Sequence, residues 1–218
     1  MKRSVVLLSG GLDSTLCLFW AIARAQEEGG HVSAVAFDYE QTHDIEVNRS
    51  RLIARVNDVP WERLTLSNLG EAFVSLSPGA VMPARNAIFL SSAASWATMM
   101  YPGDSIRLVV GACQEDQKGF PDCRPAFFRA MQKAFQASEL PVSIDHPLLG
   151  LTKGEAIRQT LHDVQKRGGW HGVRELKECL YYSWSCYDPQ DGAPCGECGA
   201  CRFRADGFRE AGLEDPAL

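Results

Sequence analysis

A chain of 218 residues, 45% apolar and 22% charged, suits one large domain or a domain with a small appendage. That balance excludes a disordered tail, a collagen and a coiled-coil rod, and a formal net charge of −5 disfavours a bulk polyanion such as nucleic acid as partner. No apolar run is long enough to span a membrane.

Ser4–Leu8 is a short apolar run closed by Gly10 and Gly11 and reads as a buried parallel strand. The apolar stretch ends too soon for an export signal, so a cytoplasmic location is expected, where eight cysteines argue against a disulfide framework. Ser14 to Glu28 has helical spacing and stops at Gly29-Gly30. Val32–Phe37 is the next strand, Asp44 to Val56 a helix and Trp61–Leu66 a third strand. Residues 67–84, with Pro78, Gly79 and Pro83, read as a loop. Asn86 to Met100 is a mostly apolar, central helix; Ile106–Gly111 is a strand, Pro125–Ala137 a helix and Val142–Asp145 a short strand. Thr152 and Glu155 have the spacing of a capping box opening another helix. Repeated β-α units predict an α/β fold with a doubly wound parallel sheet. A break is expected at Gly168-Gly169-Trp170-His171-Gly172. It divides a nucleotide-binding domain (1–168) from a small metal-held lobe (169–218) too poor in apolar periodicity to pack a core alone.

Two patterns carry chemistry. Leu8-Ser9-Gly10-Gly11-Leu12-Asp13-Ser14-Thr15 joins the first strand to the first helix. Glycines let backbone N–H groups approach an anion, the helix start adds orphan donors and partial positive charge, and Ser9, Ser14 and Thr15 add hydroxyls. Asp13 would repel bare phosphate, which points to Mg2+ between carboxylate and phosphates. The pattern is neither the Walker loop nor the dinucleotide fingerprint. The second pattern is Cys186, Cys195, Cys198 and Cys201, spaced C-x8-C-x2-C-x2-C. Four thiolates close a tetrahedron around a structural Zn2+; an iron–sulfur cluster and a redox dithiol are the alternatives. Cys17, Cys113, Cys123 and Cys179 read as small buried thiols.

Ser9-Gly10-Gly11-Leu12-Asp13-Ser14 resembles the loop of the ATP pyrophosphatase (PP-loop) superfamily. With the cysteine cluster, the chain resembles the QueC family of 7-cyano-7-deazaguanine synthases. Further stretches carry the likeness: Phe37 to His43, Pro83-Ala84-Arg85-Asn86, Gly119-Phe120-Pro121-Asp122-Cys123-Arg124, Pro147 to Glu155, Ser185-Cys186-Tyr187, and Cys198 to Ala205. The resemblance implies an ATP-dependent carbon–nitrogen ligase. It would convert 7-carboxy-7-deazaguanine and ammonia to 7-cyano-7-deazaguanine through acyl-adenylate and amide intermediates, using ATP, Mg2+ and Zn2+, as a homodimer with Trp170 or Trp184 at an interface.

On the matched positions, Asp13, Arg85 and Lys153 are the catalytic candidates. Leu8 to Thr15, with Tyr39 and Gln41, are the nucleotide-binding candidates, and Arg85, Asn86, Asp116, Asp122 and Arg124 the substrate-binding ones. His43 reads as a satisfied polar residue. Glu40 and Ala84 stand where the family has glycine; residues 67–84 are shorter, and 163–184 longer, than in typical members. These departures keep a second reading open: a QueC-like paralogue of antiviral gene clusters that joins the deazaguanine carboxylate to another amine, such as a protein N-terminus. A tRNA-thiolating enzyme would be basic, and a glutaminase-bearing amidotransferase longer. A zinc module binding RNA through Arg202, Arg204 and Arg209 is the non-enzyme alternative.

Overall fold

The computed structural model describes residues 1–39, 44–67 and 82–217. Five strands form one parallel sheet: β1 (Lys2–Leu7), β2 (His31–Asp38), β3 (Trp61–Thr65), β4 (Ser105–Val109) and β5 (Val142–Asp145), in the order β3-β2-β1-β4-β5. The apolar run of β1 takes the centre, buried on both faces. It pairs Leu7 with Val35 on one side and Val6 with Val109 on the other. Alternate side chains part to opposite faces. Val6 and Leu8 pack with Leu16, Ile53, Ile157 and Leu176, whereas Val5 and Leu7 pack with Phe37, Leu90, Leu108 and Phe128.

The first face is covered by α1 (Leu12–Glu28) and α2 (Ile45–Val56), the second by α3 (Arg85–Met100). A single turn, α4 (Asp116–Gly119), and a 3-10 turn (Pro121–Cys123) precede α5 (Pro125–Ala137), which joins the second face. The long α6 (Lys153–Tyr182) and α7 (Gly199–Ala211) complete the first. Glycine ends α1 as expected: Gly29 adopts φ 64° and its N–H reaches the Ala25 carbonyl. The capping box of Thr152 and Glu155 is present.

At the break expected at Gly168–Gly172 the helix is kinked. Gly169 alone leaves helical geometry, at φ 56° and ψ −142°, and the helix resumes to Tyr182. Beyond it, Leu176, Leu180 and Phe208 enter the same cluster as Leu16 and Ile157. The C-terminal segment therefore borrows the main core, adding a small cluster of its own around Trp184, Cys186 and Cys201. Trp184 is buried in that cluster and is not available to an interface; Trp170 is 84% exposed. Among the described residues no helix is long and apolar enough to cross a membrane.

Candidate active site

Strand order reverses between β1 and β4, and open parallel sheets bind ligands at the carboxyl ends of such a pair. A cleft of about 740 Å3 opens there, lined in part by Ser9, Asp13, Arg85, Asp116, Lys153 and Tyr187.

The glycine loop forms one wall. Gly10 has φ 89°, and a Cβ there would lie 2.3 Å from the Glu46 carbonyl oxygen, so only glycine lets the first turn of α2 press against the loop. The Gly11 N–H donates to Ser9 Oγ at 3.3 Å, and the Ser9 and Ser14 hydroxyls stand 3.1 Å apart. Of the nucleotide-binding candidates in this loop, Ser9, Gly11, Leu12, Asp13 and Ser14 line the cleft. Three expected members of the phosphate-binding set do not. Leu8 is buried in the core, Gly10 backs onto α2, and the buried Thr15 hydroxyl donates to its own helix at the Gly11 carbonyl, 2.8 Å away.

The floor is a charged cluster. Lys153 Nζ lies 2.6 Å from Asp13 Oδ2 and 3.4 Å from Asp116 Oδ2. The Cys113 thiol donates to Asp13 Oδ1 at 3.3 Å, and the Cys113 backbone N–H to Asp116 Oδ2 at 2.7 Å. Gly111 permits this meeting, since a Cβ on it would fall 2.7 Å from the backbone of Asp13 and Ser14. Burial favours the neutral amine, but Asp13 and Asp116 outweigh it and hold the Lys153 ammonium charged well above its ordinary range. Burial and the Asp13 charge push Asp116 up, and push the Cys113 thiol far up, so Cys113 is a hydrogen-bond donor here and not a nucleophile. Asp13 and Asp116 suit Mg2+, which takes one or two carboxylates together with substrate phosphates.

Arg85 enters from the first turn of α3, beside Tyr39, Tyr187 and Glu46. Burial works against its charge, but these neighbours raise its affinity for the proton. Asn86 lines the cleft while its side-chain amide donates to the Asp122 carbonyl at 3.0 Å. Two substrate-binding candidates fall outside the cleft lining. Asp122 turns to α3 and accepts the Asn86 N–H at 3.0 Å, and exposed Arg124 donates to the Gln117 carbonyl. Gln41, with Glu40 and His43, lies outside the described residues.

The four expected cysteine ligands converge, every sulfur within 4.8 Å of the others. Cys186 and Cys195 sulfurs are 3.5 Å apart, and Cys195 and Cys201 4.0 Å. Disulfide bonds are much shorter, whereas Zn–S bonds of about 2.3 Å set tetrahedral sulfurs about 3.8 Å apart. Burial raises the Cys198 thiol, but the N–H groups of Tyr187 and Cys201 prevail and hold it down at about 7. The cluster fits Zn2+. It also touches the phosphate loop: the Trp184 N–H donates to the Gly10 carbonyl at 2.7 Å, and the Trp184 indole to the Cys186 carbonyl at 2.9 Å. Arg204, one of the expected RNA-facing arginines, is buried on Asp215 at 2.6 Å, and Arg209 pairs with Asp206.

Sequence reasoning missed Glu46, Cys113 and Glu115. Glu46 lies just past the carboxyl end of β2, a position that sheet topology alone marks as ligand-facing. Cys113 and Glu115 follow β4 in the same way.

A family model described as queuosine biosynthesis protein QueC matches residues 3–212. The 7-cyano-7-deazaguanine synthase of Laribacter hongkongensis is 35% identical over 237 aligned positions, covering 100% of this chain and 94% of that protein. The one from Pelobacter propionicus is 38% identical, covering 99% and 96%. A solved structure of a predicted tRNA methyltransferase subunit from Methanocaldococcus jannaschii overlays with a TM-score of 0.50 at 14% identity, over 73% of this chain and 74% of that one, a likeness of fold alone.

Proposed function

This chain belongs to the QueC family of queuosine biosynthesis proteins, and from that premise we propose that it is an ATP-dependent ligase making 7-cyano-7-deazaguanine from 7-carboxy-7-deazaguanine and ammonia. One observation carries the proposal: the glycine loop, Lys153, Asp13 and Asp116 meet in a single cleft at the sheet's reversal point.

A carboxylate is a poor electrophile. Transfer of AMP to its oxygen makes that oxygen a leaving group, ammonia displaces it to give the amide, and a second activation with elimination gives the nitrile. The protein's share is positioning and charge. The helix start at Gly11 and the Ser9 and Ser14 hydroxyls take the phosphates. Lys153 supplies the cation that the loop itself lacks. Mg2+, when bound by Asp13 and Asp116, neutralises phosphate charge. Cys113 orients Asp13 by donating to Oδ1, the oxygen that Lys153 leaves free. Arg85 serves the substrate end. Cys186, Cys195, Cys198 and Cys201 would hold Zn2+, which would close the segment that holds Gly10 in place.

The test is mass spectrometry after incubation with ATP, Mg2+, 7-carboxy-7-deazaguanine and ammonia. A nitrile, preceded by the amide, is expected; an amide as sole end product, a protein-linked adduct or unchanged acid contradicts the proposal.

A further inference from the structure

The substrate reading leaves open how the flat ring is recognised. The two groups expected to read it, Asp122 and Arg124, are engaged elsewhere: Asp122 caps α3 through the Asn86 N–H, and Arg124 is exposed on the Gln117 carbonyl. The other cleft carboxylates are engaged in whole or in part. Asp13 is held by Lys153 and Cys113 and Asp116 by Lys153 and the Cys113 N–H, while Glu115 accepts the Lys153 N–H through Oε1 and keeps Oε2 buried, closed off from solvent.

Glu46 is different. It lines the cleft from the first turn of α2, fixed there by the close contact of its backbone with Gly10. Among the described residues no N–H or O–H lies within hydrogen-bonding distance of its carboxylate, although Arg85 is close enough to act on its charge. Burial pushes its carboxyl up to about 7 while Arg85 opposes that shift, and Tyr39 and Tyr187 face the same group. A half-buried carboxylate with free acceptor capacity beside a guanidinium is complementary to one edge of a 2-amino-oxopyrimidine ring. That edge presents a carbonyl acceptor followed by two N–H donors.

Resting on the substrate reading above, we propose that Glu46 and Arg85 read this edge, Glu46 accepting from the ring N1–H and the exocyclic amine and Arg85 donating to the ring carbonyl oxygen. Charge sets the orientation. The substrate's own carboxylate is repelled by Glu46 and so turns away from it. Phe37 and Phe89, stacked at 4.2 Å, and Tyr39, tilted on Phe89 at 5.4 Å, form the apolar side of this end of the cleft.

Calorimetry on the full chain tests this with 7-carboxy-7-deazaguanine, its analogue lacking the 2-amino group, and ATP. Wild type is expected to prefer the amino ring by about 10- to 100-fold, the worth of a hydrogen bond to a charged group. Glu46→Gln presents a donor to a donor, so it is expected to lose most of that preference while ATP affinity stays within about twofold. Glu46→Asp keeps the charge with less reach and is expected to keep the preference at reduced affinity. It serves as the readout should Glu46→Gln fail the melting and zinc-content check, and loss of the preference in Glu46→Asp would then overturn the assignment. An unchanged preference in Glu46→Gln overturns it. So does a fall in ATP affinity with ring binding intact, which would place adenine on Glu46. Wild type that binds ATP but neither ring defeats the substrate reading itself, and this inference falls with it.

Discussion

Lys153 is the residue on which the most geometry converges. It bridges two carboxylates from different elements, at 2.6 Å and 3.4 Å, and is almost fully buried. Removing one member of a buried ionic group leaves the others uncompensated, at a cost of about 3 kcal/mol. Lys153→Met is therefore expected to lower the melting temperature and to abolish turnover, as read by a thermal melt and by product mass. Near-normal turnover would remove it from the chemistry. Ala84 makes an opposite prediction. It sits at φ 55°, in the left-handed region, where a Cβ costs about 1–2 kcal/mol. This explains why glycine is the residue of the related motif. Ala84→Gly should stabilise the chain by about 1 kcal/mol, measured by denaturant unfolding at unchanged m-value.

The four-cysteine cluster and the glycine loop are joined through Trp184. Its backbone N–H holds Gly10, and its indole closes on Cys186, so the cluster and the loop share one short segment. Stripping zinc with a thiol-competent chelator is expected to weaken ATP binding about tenfold, with far-UV circular dichroism largely retained. Calorimetry before and after chelation checks it, and unchanged ATP affinity would separate the two sites. This link was not legible in the chain, because nothing about a tryptophan between two serines says which carbonyl it will meet. The elements themselves were legible. The strands of the sheet centre are mostly apolar, and α5 and β5 have the expected bounds. Gly168-Gly169 read as a break because glycine pairs usually end helices, but apolar residues at 173, 176 and 180 carry α6 onward against the core.

Across the molecule, chemistry collects where the loops after β1, β2 and β4 converge. Spacing revealed the cysteine cluster and the glycine loop, since both are contiguous. Glu46 comes from the first turn of α2, after β2, whereas Cys113 and Asp116 come from the segment after β4, and only the sheet order brings them to one cleft. One global consequence is a pH dependence of stability. The Glu46 carboxyl is raised from 4.5 to about 7 in the folded chain, so the folded state holds a proton that the unfolded state has released. The stability this confers is complete below about pH 4.5 and is lost as pH rises through about 7. Glu46→Gln, which cannot ionise, should gain on the parent over that window, by on the order of 10 °C in melting temperature at pH 8 relative to pH 4. A constant difference across the window would contradict the shift.

The account rests on the glycine loop holding the outer phosphates while AMP passes to the substrate oxygen. Nucleotide analysis of a reaction containing ATP, Mg2+, 7-carboxy-7-deazaguanine and ammonia, whose attack releases the AMP from the acyl-adenylate, tests this most directly. AMP and pyrophosphate should appear together, only when the acid is present, and should vanish in Gly10→Ala, whose Cβ would strike the Glu46 carbonyl. Release of ADP and orthophosphate, or pyrophosphate formation indifferent to the acid, would contradict it.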